Sequence, residues 1–343
     1  MTLPSTHDAS RCTVRLVKRR SAPSAEVRRN LDRFRALHND PAASRELARD
    51  VLSEEANAEL LMAALQTLGE GARLDDHGLL RDLYAWLEED FRRRDPGGLV
   101  RVEVLRVLWH LRARDDLEFA EAASTRVERS LNGNGEVMRA AGLALLGVLD
   151  PEAAAFRAAA MLARVDAHPM NAEPALTAAR LLGSLGHSVA LATHVLRPPR
   201  AEPPEVTAEC IRGLAGLPVR HIQPVLDAFA SSDDEVVLLG LGDLVVSLEP
   251  GQAVSAAVRG MLTGADTPEV YGFLVTAIVA SRRDDLLAVL LETLPNEMLQ
   301  ARLQLARDAL ELAPQTDAVR AALASLDGRL GLTAPQGPDR ALD

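Results

Sequence analysis

From residue 135 onward the chain repeats one arrangement of apolar and polar positions: an acidic residue, then apolar residues at helical spacing, then a leucine-rich close. Five segments carry it: GEVMRAAGLALLGVL (135–149), AEPALTAARLLGSLG (172–186), PEVTAECIRGLAGLP (204–218), DEVVLLGLGDLVVSL (234–248) and PEVYGFLVTAIVAS (268–281). Aligned on Glu136, Glu173, Glu205, Glu235 and Glu269, the copies lie 37, 32, 30 and 34 residues apart. One position after each Glu stand Val137, Pro174, Val206, Val236 and Val270; six after stand Gly142, Ala179, Ile211, Leu241 and Val275; nine after stand Leu145, Leu182, Leu214, Leu244 and Ile278. Such offsets place these side chains on one stripe of a helix, the stripe that a buried face requires.

Five positions after the Glu come Ala141, Ala178, Cys210, Gly240 and Leu274, mostly small, which predicts close approach of neighbouring helix backbones. Helix starts are marked by Asn171 ahead of Pro174, by Thr267 before Pro268, and by Ser231, Ser232, Asp233 and Asp234 before Val236. Between the copies lie further apolar-patterned segments, 151–165, 187–197, 219–230, 251–264 and 282–295. Each unit therefore reads as helix, turn, helix, and a period of this size means stacked units. No stretch alternates as a strand bounded by hairpin turns does, so the expected fold class is all-α, an α-solenoid or superhelix of helical hairpins.

The first half continues the pattern less regularly, with helices predicted over 44–52, 56–69, 77–93, 98–113 and 115–131 and a strong break at Asp95-Pro96-Gly97-Gly98. Helices over 296–313 and 316–330 close the array. The expected organisation is a basic, flexible arm over 1–40 leading into the first helix, a solenoid over 41–330, and a disordered tail over 331–343.

The repeats resemble HEAT repeats, including the HEAT-like units of phycobilin-lyase-type proteins, in their E-V/P start, central small residues and L-x-x-L-type close. The resemblance covers roughly residues 97 to 313 and departs from the family in lacking a regular Asp and Arg ladder. It implies a long surface for recognising a protein or extended peptide.

Charge adds a direction to that surface. The net charge is −11, yet residues 1–35 hold nine Arg and Lys against three Asp and Glu, so a basic arm joins an acidic body. One lysine, Lys18, among 38 basic residues reads as the codon bias of a GC-rich genome, and it carries no functional weight. The first helices of the five repeats sum to −9 and the second helices to +2. In HEAT-like solenoids the second helices line the concave surface, which makes Arg157, Arg164, His194, Arg197, Arg220, His221, Arg259, Arg282 and Arg283 a basic ladder for an acidic peptide or phosphate-bearing ligand. Arg15, Lys18, Arg19 and Arg20 form a second basic element in the arm.

Catalytic motifs are not legible. The eight histidines show no metal-type spacing, and no Walker, Rossmann, G-x-S-x-G or CxxC motif occurs, so neither a metal nor a cofactor is expected. NGNG at 132–135 reads as a turn, and the doublets Asp75-Asp76, Asp115-Asp116, Asp233-Asp234 and Asp284-Asp285 read as helix starts. His187 and His194, seven apart on one predicted helix, could share a face but read as surface or helix-end histidines. HEAT-like folds also include DNA glycosylases, for which Trp86, Trp109, Arg112 and Asp115 are the nearest residues, with Trp109 expected in the core. The absence of a signal-peptide core and of a long apolar run, with two distant cysteines, points to a soluble cytoplasmic protein. The function expected from sequence is thus a non-catalytic scaffold binding a protein or acidic peptide partner on the concave face, with no membrane partner. The alternatives are nucleic-acid binding of the glycosylase type and a bilin-lyase-like accessory role.

Overall fold

A computed structural model describes residues 25–332, apart from 38, 55–56, 129–134, 165 and 198–201. Among the described residues it contains α-helices and short 3-10 turns, with no β-strand. The predicted all-α class is therefore what the chain adopts. The basic arm residues Arg15, Lys18, Arg19 and Arg20 and the tail after Leu332 lie outside the described residues. No helix among the described residues is long and apolar enough to cross a membrane.

The chain divides into two compact units, Met1–Leu68 and Gly69–Asp343. In the first, α1 (Ala25–Ala36) falls within the stretch expected as an arm, and α2 (Pro41–Glu54) packs on α3 (Ala58–Leu68). Leu47, Ala48, Val51 and Leu52 of α2 and Leu60, Leu61, Ala64 and Leu65 of α3 are buried at helical spacing. The Asn57 side chain starts α3 by accepting from the Leu60 amide at 3.2 Å.

The second unit runs α4 (His77–Glu89), α5 (Phe91–Arg94), α6 (Leu99–Leu111), α7 (Leu117–Thr125), α8 (Gly135–Leu149), α9 (Pro151–Arg164), α10 (Ala175–Ser184), α11 (Ser188–Val195), α12 (Pro204–Arg212), α13 (Val219–Phe229), α14 (Glu235–Ser247), α15 (Gln252–Gly264), α16 (Pro268–Ser281), α17 (Asp284–Thr293), α18 (Gln300–Glu311) and α19 (Asp317–Leu330). First helices stack on first helices, α10 on α12 on α14 on α16 on α18. Second helices stack likewise, α11 on α13 on α15 on α17 on α19. This two-layer stacking is a solenoid-like arrangement within the unit. Leu145, Leu182, Leu214, Leu244 and Ile278, the shared stripe of the repeats, are all buried.

The small residues do what their size allows. A Cβ on Gly240 would lie 2.8 Å from the Ala208 backbone, and one on Gly142 would lie 2.5 Å from the Ser124 nitrogen, so α14 meets α12, and α8 meets α7, at backbone distance. Helix starts follow the predicted chemistry at two places: Asp234 accepts from the Val236 and Val237 amides, and Thr267 accepts from Val270. The second repeat differs. Asn171 accepts from the Glu173 amide inside a turn, the Glu173–Pro174 peptide is cis, and α10 begins only at Ala175.

One expected departure is also amended. Arg180 approaches Glu209 at 3.7 Å, Glu209 meets Arg212 at 3.2 Å, and Arg212 meets Asp243 at 2.6 Å, so a partial Arg and acid ladder ties α10, α12 and α14. Arg180 and Arg212 share one offset from their repeat Glu, but Glu209 and Asp243 do not, which is why the sequence hides it.

Candidate active site

A cleft of about 320 Å³ opens between α6, α8 and the start of α10. Leu105, Arg106, Trp109 and His110 reach it from α6; Val137, Ala140, Ala141 and Ala144 from α8; Glu173 and Thr177 from the α10 start. On α6 these positions fall on one face because residues four apart lie above one another. On α8 the contribution is mainly methyl groups, since three of the four residues are alanines.

Trp109 is half-buried at the cleft wall and is not in the core, which corrects the expectation for it. Its ring meets His110 edge-on at 5.0 Å, and the Arg112 guanidinium lies 5.6 Å from the ring centre. Arg112 closes α6 in the left-handed region, φ 52°, which carries its cation back over that ring. Arg106 is exposed and pairs with Glu103 at 3.0 Å. Glu173 Oε2 accepts from the Thr177 amide at 3.1 Å, which fixes this carboxylate at the positive end of α10.

The helix that carries Trp109 is anchored by a buried ionic knot. Arg101 is fully enclosed, with its Nε 3.1 Å from Asp95 and its terminal nitrogens 2.6 and 2.9 Å from Glu128. Burial alone would lower the Arg101 pKa, but the bonds to Glu128 and Asp95 outweigh it and the pKa is raised. Asp95 also accepts from the Val100 and Arg101 amides, so the Asp-Pro-Gly-Gly break caps α6 as well as punctuating the chain. Arg126 bridges Glu128 and Glu88 beside it.

The other predicted positions are dispersed. His194 is buried against Glu202 at 3.2 Å, and Arg197 pairs with the same carboxylate at 2.5 Å while donating to the Leu162 carbonyl. His187 precedes α11 and is exposed, so the two histidines do not share a face. Arg283 binds Asp285 and the carbonyls of Val245, Val246 and Leu248, and Arg259 pairs with Glu292. Arg157 is half-buried, while Arg164, Arg220, His221 and Arg282 are exposed. Trp86 is covered by Arg94, whose guanidinium lies 4.5 Å from its ring centre, and Asp115 is exposed. Of the residues singled out from sequence, Trp109 and the repeat positions Val137, Ala141 and Glu173 line the cleft, and Arg112 stands beside the Trp109 ring.

Sequence reasoning missed several groups. Asp116 is more than a helix start: it is buried, with His77 Nε2 at 2.9 Å and Arg81 at 3.7 Å. His110 gave no motif, and Glu173, read only as a repeat anchor, accepts from the Thr177 amide beside it on the cleft lining. Among the described residues no group of three or more His, Cys, Asp or Glu side chains is placed to hold a metal ion, so no step through a metal is derived.

A model of the ADP-ribosylglycohydrolase family matches residues 25–236, more than half of the chain. The chain belongs to the ADP-ribosylglycohydrolase family. No curated protein and no solved structure matches it. Family membership overturns the HEAT-repeat assignment, because helical stripes and small residues at regular spacing report stacked helices and are indifferent to ancestry. It also overturns the non-catalytic scaffold and its alternatives. An ADP-ribosylglycohydrolase family indicates an enzyme, and all ten cleft-lining residues fall inside the matched span.

Proposed function

We propose that the chain is a glycohydrolase that cleaves the bond between an ADP-ribosyl group and its acceptor, and that the cleft between α6, α8 and α10 holds that group. The observation that supports this is the coincidence of the family match with a cleft bearing a carboxylate, an imidazole, an arginine and an aromatic wall.

In the proposed reaction the bond from the anomeric carbon to the acceptor breaks, and its electron pair leaves with the acceptor. Positive charge grows on the sugar as this happens, and the Glu173 carboxylate stabilises it. A water molecule adds its oxygen to the anomeric carbon, and its proton passes to Glu173. His110 gives a proton to the departing acceptor and takes one back from solvent, and Glu173 returns to solvent the proton it took from water. Arg106 on the lining, with Arg112 beside Trp109, supplies cationic donors for the diphosphate. A protein bearing ADP-ribose is the partner this chemistry calls for. The cytoplasm is the compartment we propose, since Cys210 is buried and free.

The test is release of ADP-ribose from nitrogen-linked and oxygen-linked conjugates, followed by chromatography. Wild type should release it from at least one class, and Glu173→Gln should lower kcat by roughly 100-fold to 10,000-fold with an unchanged melting temperature. An active Glu173→Gln enzyme would remove Glu173 from the chemistry, and inactivity of wild type on every conjugate would sink the assignment.

A further inference from the structure

The stretch of chain that brings Glu173 to the cleft is bonded to itself. Between α9 and α10 it turns back, so that the Ala175 amide donates to the Asp166 carbonyl at 3.1 Å and the His168 amide donates to the Glu173 carbonyl at 2.9 Å. The Ala172 amide closes the turn on the His168 carbonyl at 2.8 Å, and the Asn171 side chain accepts from the Glu173 amide at 3.1 Å. The Thr177 amide holds the carboxylate of Glu173 as well. A piece of chain bonded in this way keeps its own shape, so where Glu173 stands in the cleft depends on how the piece is fastened to the walls.

Arg139 of α8 supplies a fastening. Its side chain is buried, and its guanidinium meets both oxygens of Asp166, Nη2 to Oδ1 at 2.7 Å and Nε to Oδ2 at 3.1 Å. The remaining nitrogen, Nη1, donates to the Arg126 carbonyl at 3.1 Å. A two-pronged pair of this kind fixes direction as well as distance. Arg139 stands two positions after Val137, about 200° round the helix, so it leaves α8 on the side away from the residues that line the cleft. One side of α8 therefore forms a cleft wall while the other holds the chain that carries Glu173.

We infer that Arg139 and Asp166 are positioning residues for the reaction, a pair that sets the place of Glu173 against the α8 wall and acts on catalysis through Glu173. The inference rests on the glycohydrolase reading for the role of Glu173, and on the hydrogen bonds alone for the anchor. Neither member of the pair lines the cleft. Their effect passes from the Asp166 carboxylate to its carbonyl, then to Ala175, two residues beyond Glu173. A carboxylate that stabilises charge at a reacting carbon is sensitive to placement, and a displacement of about 1 Å costs on the order of 100-fold in rate.

The experiment uses the full chain in two measurements. Hydrogen exchange, which needs no substrate, follows the His168 and Ala175 amides against those of α16. Asp166→Asn should speed exchange at both by about 10-fold and leave α16 unchanged. Release of ADP-ribose from its conjugates is then timed. Arg139→Ala should lower kcat about 100-fold with KM little changed, and Arg139→Lys should recover part of the loss, since an ammonium keeps the charge without the fork. Asp166→Asn keeps the size of the side chain, should follow Arg139→Ala in kcat, and guards against a folding defect in the alanine variant. In a Glu173→Gln background Arg139→Ala should lower kcat no further, because no carboxylate is left to misplace. Unchanged exchange at His168 and Ala175, full kcat in a folded Arg139→Ala protein, or an equal further loss in the Glu173→Gln background would each overturn the inference. The two readings separate. Faster exchange at these amides in a chain whose wild type hydrolyses no conjugate removes the activity and the pair's part in it, and leaves the anchor standing. Hydrolysis lost in Glu173→Gln but kept in Arg139→Ala leaves the activity and removes the positioning role.

Discussion

Arg101 is a charged side chain with no exposed surface, held between Asp95 and Glu128. Removing it strands two buried carboxylates, so Arg101→Ala should cost about 3–5 kcal/mol in urea unfolding. Arg101→Lys should fall between that variant and wild type, because one ammonium cannot reproduce the fork that meets both partners. The Glu202 carboxyl makes a prediction in pH. Burial alone would raise its pKa, but the hydrogen bond and charge of His194, with Arg197 and Thr207, hold it below the ordinary carboxylate value. A depressed folded pKa gives stability that is complete above the unfolded value and is lost as pH falls through the folded one. Thermal melts of wild type and Glu202→Gln should therefore differ most near neutrality, and the difference should shrink progressively as pH falls below the ordinary glutamate value of about 4.3. A gap that widens on acidification would contradict the pairing. Neither residue was legible beforehand: the partners of Arg101 lie six and 27 positions away, at distances no periodicity encodes.

Helices were the legible scale. The stripe of Leu145, Leu182, Leu214, Leu244 and Ile278 predicted buried faces, and the pattern of paired helices it implied is the one the chain forms. Boundaries were less legible where local chemistry is unusual, as at α10, which starts beyond the cis Glu173–Pro174 bond. Glycines separate two roles within these elements. At Gly142 and Gly240 an added methyl collides with a neighbouring backbone, whereas at Gly78 and Gly328 it meets nothing within 4 Å. Gly142→Ala and Gly240→Ala should each destabilise by about 1–3 kcal/mol as overpacked contacts. Gly328→Ala, in the last turn of α19, should stabilise by up to about 1 kcal/mol through helix propensity. Melting temperatures decide it, and a stabilised Gly240→Ala would mean that α12 and α14 do not approach as closely as described. The cleft itself was nearly invisible at this scale, because an alanine facing a cleft and an alanine facing another helix follow the same spacing.

For the whole molecule, sequence pattern gave the architecture and misdirected the function. Stacked hairpins suit a recognition surface, and charge sums over helices then nominated a basic ladder. Several of its members are instead engaged within the chain, as Arg197 is with Glu202 and Arg283 with Asp285 and the carbonyls at the C-terminal end of α14. Family membership over residues 25–236 redirects attention to the cleft, whose groups converge from α6, α8 and α10. The most direct test of that placement is hydrogen exchange of the full chain with and without saturating ADP-ribose. Protection is predicted in α6, α8 and the first turn of α10, with α16 to α19 unchanged. Protection confined to α16 to α19, or anywhere apart from the three cleft elements, would contradict the assignment of the site.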